Sequence, residues 1–254
     1  MRPPLILAIE TATRSGSVCL TRGNDFLAGI SDEPTTSHST HLLPAIQQVL
    51  SNAGCTLEEV ELFAAASGPG SFTGLRIGLA TAKSFAATLN RKCVGVPTLQ
   101  AIAHAAGPSE HTVALLPAGR GELFAQLFTF TANGEARSID QAAHLKPAQV
   151  WEKYSAFRNL KWAGEGAFIQ APALREYAVL NNVPFAEEPD PATASGSWIL
   201  VPPRENLAAS VAAIAFSEFQ RGSAGRAESL KAIYVRPSDA EINQKWPNAK
   251  QQSS

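Results

Sequence analysis

The sequence predicts an α/β protein of two lobes. Residues 62–66 read as a strand, 67–78 as a Gly-rich loop opening a helix over 73–89, and 94–96 as another strand. That succession is a βαβ unit, hence a parallel pair. Around Gly107-Pro108 the chain punctuates itself and begins a second series of strands at 112–116, 123–130 and 161–163. A length of 254 residues with 45% hydrophobic content suits one large domain or two small ones with real cores.

Taken in order, residues 5–9 are a continuous apolar run and 17–21 a second strand, joined by the small polar turn 10–16. A third strand is expected over 26–30. Leu42, Leu43, Ile46, Val49, Leu50 and Ala53 recur at helical spacing, Gly54 stops that helix, and Pro44 is expected in its first turn. Thr56 to Glu59 has capping-box spacing. Ser71 is the expected N-cap of the helix that follows the Gly-rich loop. Residues 207–219 read as an Ala-rich buried helix, and the Pro-rich stretch 183–203 as loop. The division expected is a first lobe over 1–107, a second over 108–225, and a segment 226–254 that docks back or is disordered.

Composition narrows the function classes. A net charge of −1 argues against a chain that grips nucleic acid alone. Cys19, Cys55 and Cys93 form no CxxC, which fits reduced thiols and not a disulfide framework or zinc site. The amino-terminal apolar run ends at Glu10, too brief for a signal peptide, and no stretch is long enough for a membrane span. A cytoplasmic protein without a membrane partner is expected.

Gly68, Gly70 and Gly74 open a helix, a natural anion site because free N–H groups and the helix dipole converge there. Their GxGxxxG spacing fits neither the dinucleotide fingerprint nor a P-loop, so phosphate contact and a structural turn both stand. His38 and His41 suggest a metal pair, but two ligands do not make a site, and first-turn polar residues are the plainer reading. No GxSxG elbow is present.

The run Gly-Pro-Gly-Ser-Phe-Thr-Gly-Leu-Arg-Ile-Gly at 68–78 resembles the signature of the TsaB (YeaZ) family, bacterial factors of tRNA threonylcarbamoyladenosine biosynthesis. Leu-Ala-Ile-Glu-Thr-Ala at 7–12, His38-Ser39 before Leu42-Leu43-Pro44, Gly121-Glu122, Gly164-Glu165-Gly166 and Tyr234-Val235-Arg236 add to the likeness. The resemblance implies the actin-like fold of sugar kinases and heat-shock ATPases (ASKHA, ribonuclease H-like): two lobes, each a five-stranded mixed sheet with helices. It implies a paralogue, TsaD, as partner in a heterodimer, a small ATPase, TsaE, as third member, and tRNA bound only within the complex. The family usually has Asp where this chain has Glu10, and Asp where it has Pro117 in Pro117-Ala118-Gly119-Arg120. A phosphoryl-transfer site needs placed carboxylates for its metal. The implied role is therefore a non-catalytic subunit with no metal and no cofactor of its own. ATP or ADP with Mg would sit at a composite interface, and Glu10, Thr11, Gly70, Ser71, Thr73 and Gly74 would form a vestigial nucleotide loop. The alternatives are a free-standing ATPase or phosphotransferase of the same fold, and a metalloprotease using His38 and His41.

A partner surface follows from the charge pattern. Residues 34–57 contain no Asp, Glu, Lys or Arg. With the apolar stripe turned inward, the outer side of that helix offers Pro44, Gln47, Gln48 and Ser51. On the loop helix, Leu75, Leu79, Ala82, Ala86 and Leu89 form the core face. Ile77, Ala80, Thr81, Ser84 and Thr88 lie opposite. A solvated helix usually carries charge on its outer face, so a covering surface is expected: a partner helix pair, a second copy of the chain, or the chain's own second lobe.

Overall fold

A computed structural model describes residues 2–31, 38–187 and 195–235, with the side chains of residues 38 and 39 outside that description. β1 (Leu5–Glu10) and β2 (Ser17–Arg22) form a hairpin, and β3 (Asp25–Ser31) adds antiparallel to β2. β1 is buried at every position, as its unbroken apolar run requires of a central strand. After α1 (His38–Asn52), β4 (Leu62–Gly68) pairs parallel to β1. α2 (Phe72–Thr88) carries the chain to β5 (Lys92–Pro97), parallel to β4. The first sheet thus runs β3-β2-β1-β4-β5. α3 (Thr98–Ala105) follows at once.

The second lobe repeats the plan. β6 (His111–Gly119) and β7 (Glu122–Phe130) form a hairpin whose outer edge is shared by two short strands, β8 (Ala136–Ser138) and β9 (Ala143–Leu145). α4 (Pro147–Tyr154), β10 (Leu160–Ala163), α5 (Glu165–Ile169), α6 (Ala171–Leu180), β11 (Phe185–Glu187) and β12 (Trp198–Val201) complete it. α7 (Ala208–Gln220) comes last.

Alternation along the strands sorts the side chains into three cores. Leu5, Leu7, Ile9, Phe63 and Ala65 face α1 and α2. Ile6, Ala8, Ala64 and Ala66 face the opposite way, onto α3 and α7, which also pack against Ala114, Leu116, Phe124 and Phe128 of the second sheet. Val113, Leu115, Leu123, Trp151, Trp162 and Trp198 form the outer core of the second lobe beneath α4, α5 and α6. Two mixed sheets with a helical layer between them and helices outside make the two-lobed, actin-like architecture.

Several details depart from the sequence reading. α1 begins at His38, so Pro44 lies inside the helix and not in its first turn; its ring is exposed and its missing N–H falls on the solvent side. Leu43 is 59% exposed and belongs to the outer face, because the buried stripe runs Leu42, Ala45, Ile46, Val49 and Leu50. β11 and β12 lie in the stretch read as loop. The second sheet has seven strands among the described residues, where five were expected, since long β7 has room for two short partners on one edge. α7, read as part of the second lobe, closes over β1, β2, β4 and β5 of the first. Residues 225–235 dock on the first lobe, where Cys93 and Gly225 exchange backbone hydrogen bonds, while 236–254 lie outside the described residues.

Candidate functional site

β1 and β4 run parallel in register Ile9 with Ala65, so the turn after Glu10 and the loop after Gly68 emerge side by side. The Glu10 side chain is 1% exposed. Its Oε1 accepts from the backbone N–H of Ala12 at 2.6 Å and of Thr13 at 2.9 Å, and its Oε2 accepts from the Thr13 hydroxyl at 2.6 Å. The Thr11 hydroxyl donates to the Gly74 carbonyl at 2.7 Å, and the Ser71 N–H donates to the Ala12 carbonyl at 2.8 Å. Ser71 Oγ in turn accepts from the Gly74 N–H at 3.2 Å and caps α2, as expected. At Gly70 a Cβ would stand 2.7 Å from the Ala12 Cβ, so only glycine admits this approach. Glu10, Thr11, Gly70, Ser71 and Gly74 are thus one connected junction, whereas Thr73 sits exposed on the first turn of α2. The N–H groups of Ser71 and Gly74 donate within the protein.

A cleft of about 450 Å³ opens between the lobes. Glu10, Thr13 and Arg14 line one side, and Ile102, Leu116, Phe168, Ile169, Val201 and Leu207 much of the rest. Gly70, Ser71 and Gly74 do not line it. Arg14 Nε reaches Glu165 Oε1 at 3.3 Å and bridges the first hairpin turn to α5. Pro117, in the place of the second-lobe acid, pairs with Leu123 within the β6–β7 hairpin. Lys161 Nζ donates to the carbonyls of Ala106, Gly107 and Pro108 at 2.9, 3.3 and 3.0 Å, fastening the end of α3. Burial first, then the nearby Arg204, lowers the pKa of that ammonium. Sequence reasoning missed the Phe168–Ile169 wall and the role of Lys161; Gly164-Glu165-Gly166, which opens α5, was the available signal. His41 is exposed, and among the described residues no cluster of three His, Cys, Asp or Glu could hold a metal.

On the outside of the first lobe, α1 and α2 pack side by side. Leu43, Pro44, Gln47, Gln48 and Ser51 of α1 are exposed, as are Ala80, Ser84 and Thr88 of α2, with Ile77 and Thr81 half-buried between them. Arg76 and Lys83 are the charges of α2, both exposed. Among the described residues nothing of the second lobe covers this face.

A model of the TsaD family, tRNA N6-adenosine threonylcarbamoyltransferase, matches residues 32–234. The tRNA threonylcarbamoyladenosine biosynthesis protein TsaB of Escherichia coli (strain K12) is 32% identical over 169 residues, covering 65% of this chain and 72% of that protein. The TsaB of Buchnera aphidicola subsp. Acyrthosiphon pisum (strain APS) is 28% identical over 162 residues, 63% and 62% of the two chains. The solved structure of YeaZ from Pseudomonas aeruginosa superposes with a TM-score of 0.71 at 24% identity, over 91% of this chain and 99% of that one, and shares its fold. The chain belongs to the tRNA N6-adenosine threonylcarbamoyltransferase family, in its TsaB (YeaZ) branch.

Proposed function

We propose that this chain takes part in making N6-threonylcarbamoyladenosine in tRNA as a non-catalytic subunit of a cytoplasmic assembly. In this reading it pairs with and stabilises a TsaD-type threonylcarbamoyltransferase and helps recruit a TsaE-type ATPase. The observation that carries the reading is the exposed, nearly uncharged face of α1 and α2, whose small residues Ala80 and Ser84 would let partner helices approach closely. Burial of such a face is favourable, and it lacks the charges that burial would penalise.

The residues of the hairpin turn and Gly-rich loop do not fit a metal–nucleotide site within this chain. Glu10 accepts from its own turn, Ser71 and Gly74 spend their N–H groups on the junction, and Pro117 offers no carboxylate. In this reading ATP or ADP with Mg would sit at a composite interface with the partner. The same arrangement disfavours the free-standing ATPase.

The test is Ala80→Glu combined with Ser84→Glu. Both positions are exposed and Glu is a good helix former, so the variant is expected to fold, while two unpaired charges enter any interface at this face. Loss of co-elution with the TsaD subunit, and of any homodimer, is the expected result. A folded variant that still co-elutes overturns the assignment.

A further inference from the structure

The segment that follows α7 crosses the edge of the first lobe beside α2. Leu230 packs against Gly95, the Ile233 N–H donates to the Ser67 carbonyl at 2.7 Å, and the Ile233 carbonyl lies over Gly68. A short 3-10 turn at Ala227–Ser229 packs on α2 itself. This seating brings the Tyr234 ring to 5.4 Å from the Phe72 ring, and the Arg76 guanidinium stacks on Phe72 at 3.8 Å from its centroid. The result is a contiguous surface cluster in which the guanidinium lies over the phenyl ring and the phenol is tilted 41° against it. Tyr234 remains 49% and Ile233 42% exposed, and Arg76, Lys83 and Lys231 are exposed beside them.

The helix beneath these rings carries cations alone, Arg76 and Lys83. Residues 62–109 contain Arg76, Lys83, Arg91 and Lys92 and not a single acid. Glu228 is the one acid of the docked segment among the described residues, six residues before Tyr234. Aromatic faces joined to cations, in an acid-free stretch, are the chemistry of contact with unstacked nucleotides: the rings and the guanidinium plane take bases, and the ammonium groups take phosphates. Because the whole chain carries −1, such a contact is local and weak on its own.

We propose that the ridge formed by Phe72, Arg76, Lys231 and Tyr234 is an RNA-contacting edge that stacks an unpaired base beside the α1–α2 face. The inference rests on the tRNA-modification reading for its choice of nucleic acid, but the RNA titration that tests it does not need the partner subunit.

The full-length chain alone is titrated into a labelled RNA stem–loop with an unpaired loop, at about 50 mM salt where weak phosphate contacts register. Tyr234→Ala and Arg76→Ala are each expected to weaken binding about tenfold, and Tyr234→Phe to bind like the parent, since stacking needs only the ring. Arg76→Ala is also expected to lower the salt slope by about one. Co-elution with the TsaD subunit, measured in parallel, is expected to be unchanged in all three variants. No RNA binding by the parent, or parent-like affinity in Tyr234→Ala, overturns the proposal. Loss of co-elution with RNA affinity intact overturns it in favour of a protein-docking edge. Failure of the Ala80→Glu, Ser84→Glu experiment would instead strike the partner reading and leave these arms legible.

Discussion

The Thr11 hydroxyl and the Gly74 carbonyl, 63 residues apart in sequence, are hydrogen-bonded at 2.7 Å in a buried setting. The bond ties the first hairpin turn to the first turn of α2 and sets how closely the two approach. Gly78 lies directly against the same Thr11 side chain.

Thr11→Val removes the donor while keeping the shape, and is expected to cost about 1–2 kcal/mol of stability, with Thr11→Ser losing less. Gly78→Ala drives a methyl into the Thr11 hydroxyl and is expected to cost about 1–3 kcal/mol. Denaturant melts with unchanged slopes check both.

Glu10→Gln places an amide group where two backbone N–H groups now donate. Stability is expected to fall by about 1–3 kcal/mol. ATP hydrolysis is expected to equal that of buffer before and after the change, as the non-catalytic reading requires. A turnover in the parent that Glu10→Gln abolishes would contradict the non-catalytic reading.

Leu42 and Leu43 are adjacent but 3% and 59% exposed. Leu42→Ala is expected to cost about 2–5 kcal/mol of folding stability. Leu43→Ser is expected to stay within about 0.5 kcal/mol in stability. It should nevertheless weaken association with the partner subunit, which calorimetric titration reads directly.

Two buried groups set the pH response. The His104 imidazole, half-buried with Nδ1 at 3.1 Å from the Ser210 hydroxyl, is held below its usual 6.5 by burial. The unfolded chain therefore takes up this proton first. The contribution is complete above pH 6.5 and is lost as pH falls through the folded value. His104→Asn is expected to flatten the acid limb of the stability profile. Burial pushes the Cys19 thiol up from 9.0 to about 12, so its contribution is complete below pH 9.0 and fades toward 12. At pH 8 a thiol reagent is expected to modify Cys55, which is half-buried, and to reach Cys19 only after unfolding.

The first lobe was largely legible in the sequence because its elements have two different environments. β1 and β4 read as strands from unbroken apolar runs, and α1 and α2 from apolar residues at helical spacing with polar ones opposite. α3 was missed for the converse reason. Thr98, Leu99, Ala101, Ile102 and Ala103 are buried between two sheets, and in a helix of only eight residues Gln100 and His104 alone mark the polar side, too few to show a period. β12 was hidden by its neighbours: Trp198–Val201 is flanked by prolines, which a composition reading assigns to loop. In the candidate site, the Gly-rich loop announced itself by spacing. Its commitment to Ala12 and Thr11 did not, since contacts so distant in sequence leave no local pattern. Tyr234 stood out only as part of a family match, and its place on Phe72 depends on where the docked segment runs.

Because α7 returns from the end of the second lobe to cover β1, β2, β4 and β5, the amino-terminal sheet is finished only after the second lobe's strands have been made. On a ribosome, α3 is the first cover for the inner face carrying Ile6, Ala8, Ala64 and Ala66, and the part that α7 covers stays open until the chain has passed Gln220. A nascent chain arrested before Ala208 would present that face to chaperones or to other chains. A fragment that stops short of Ala208 is therefore expected to expose part of the face that the whole chain buries.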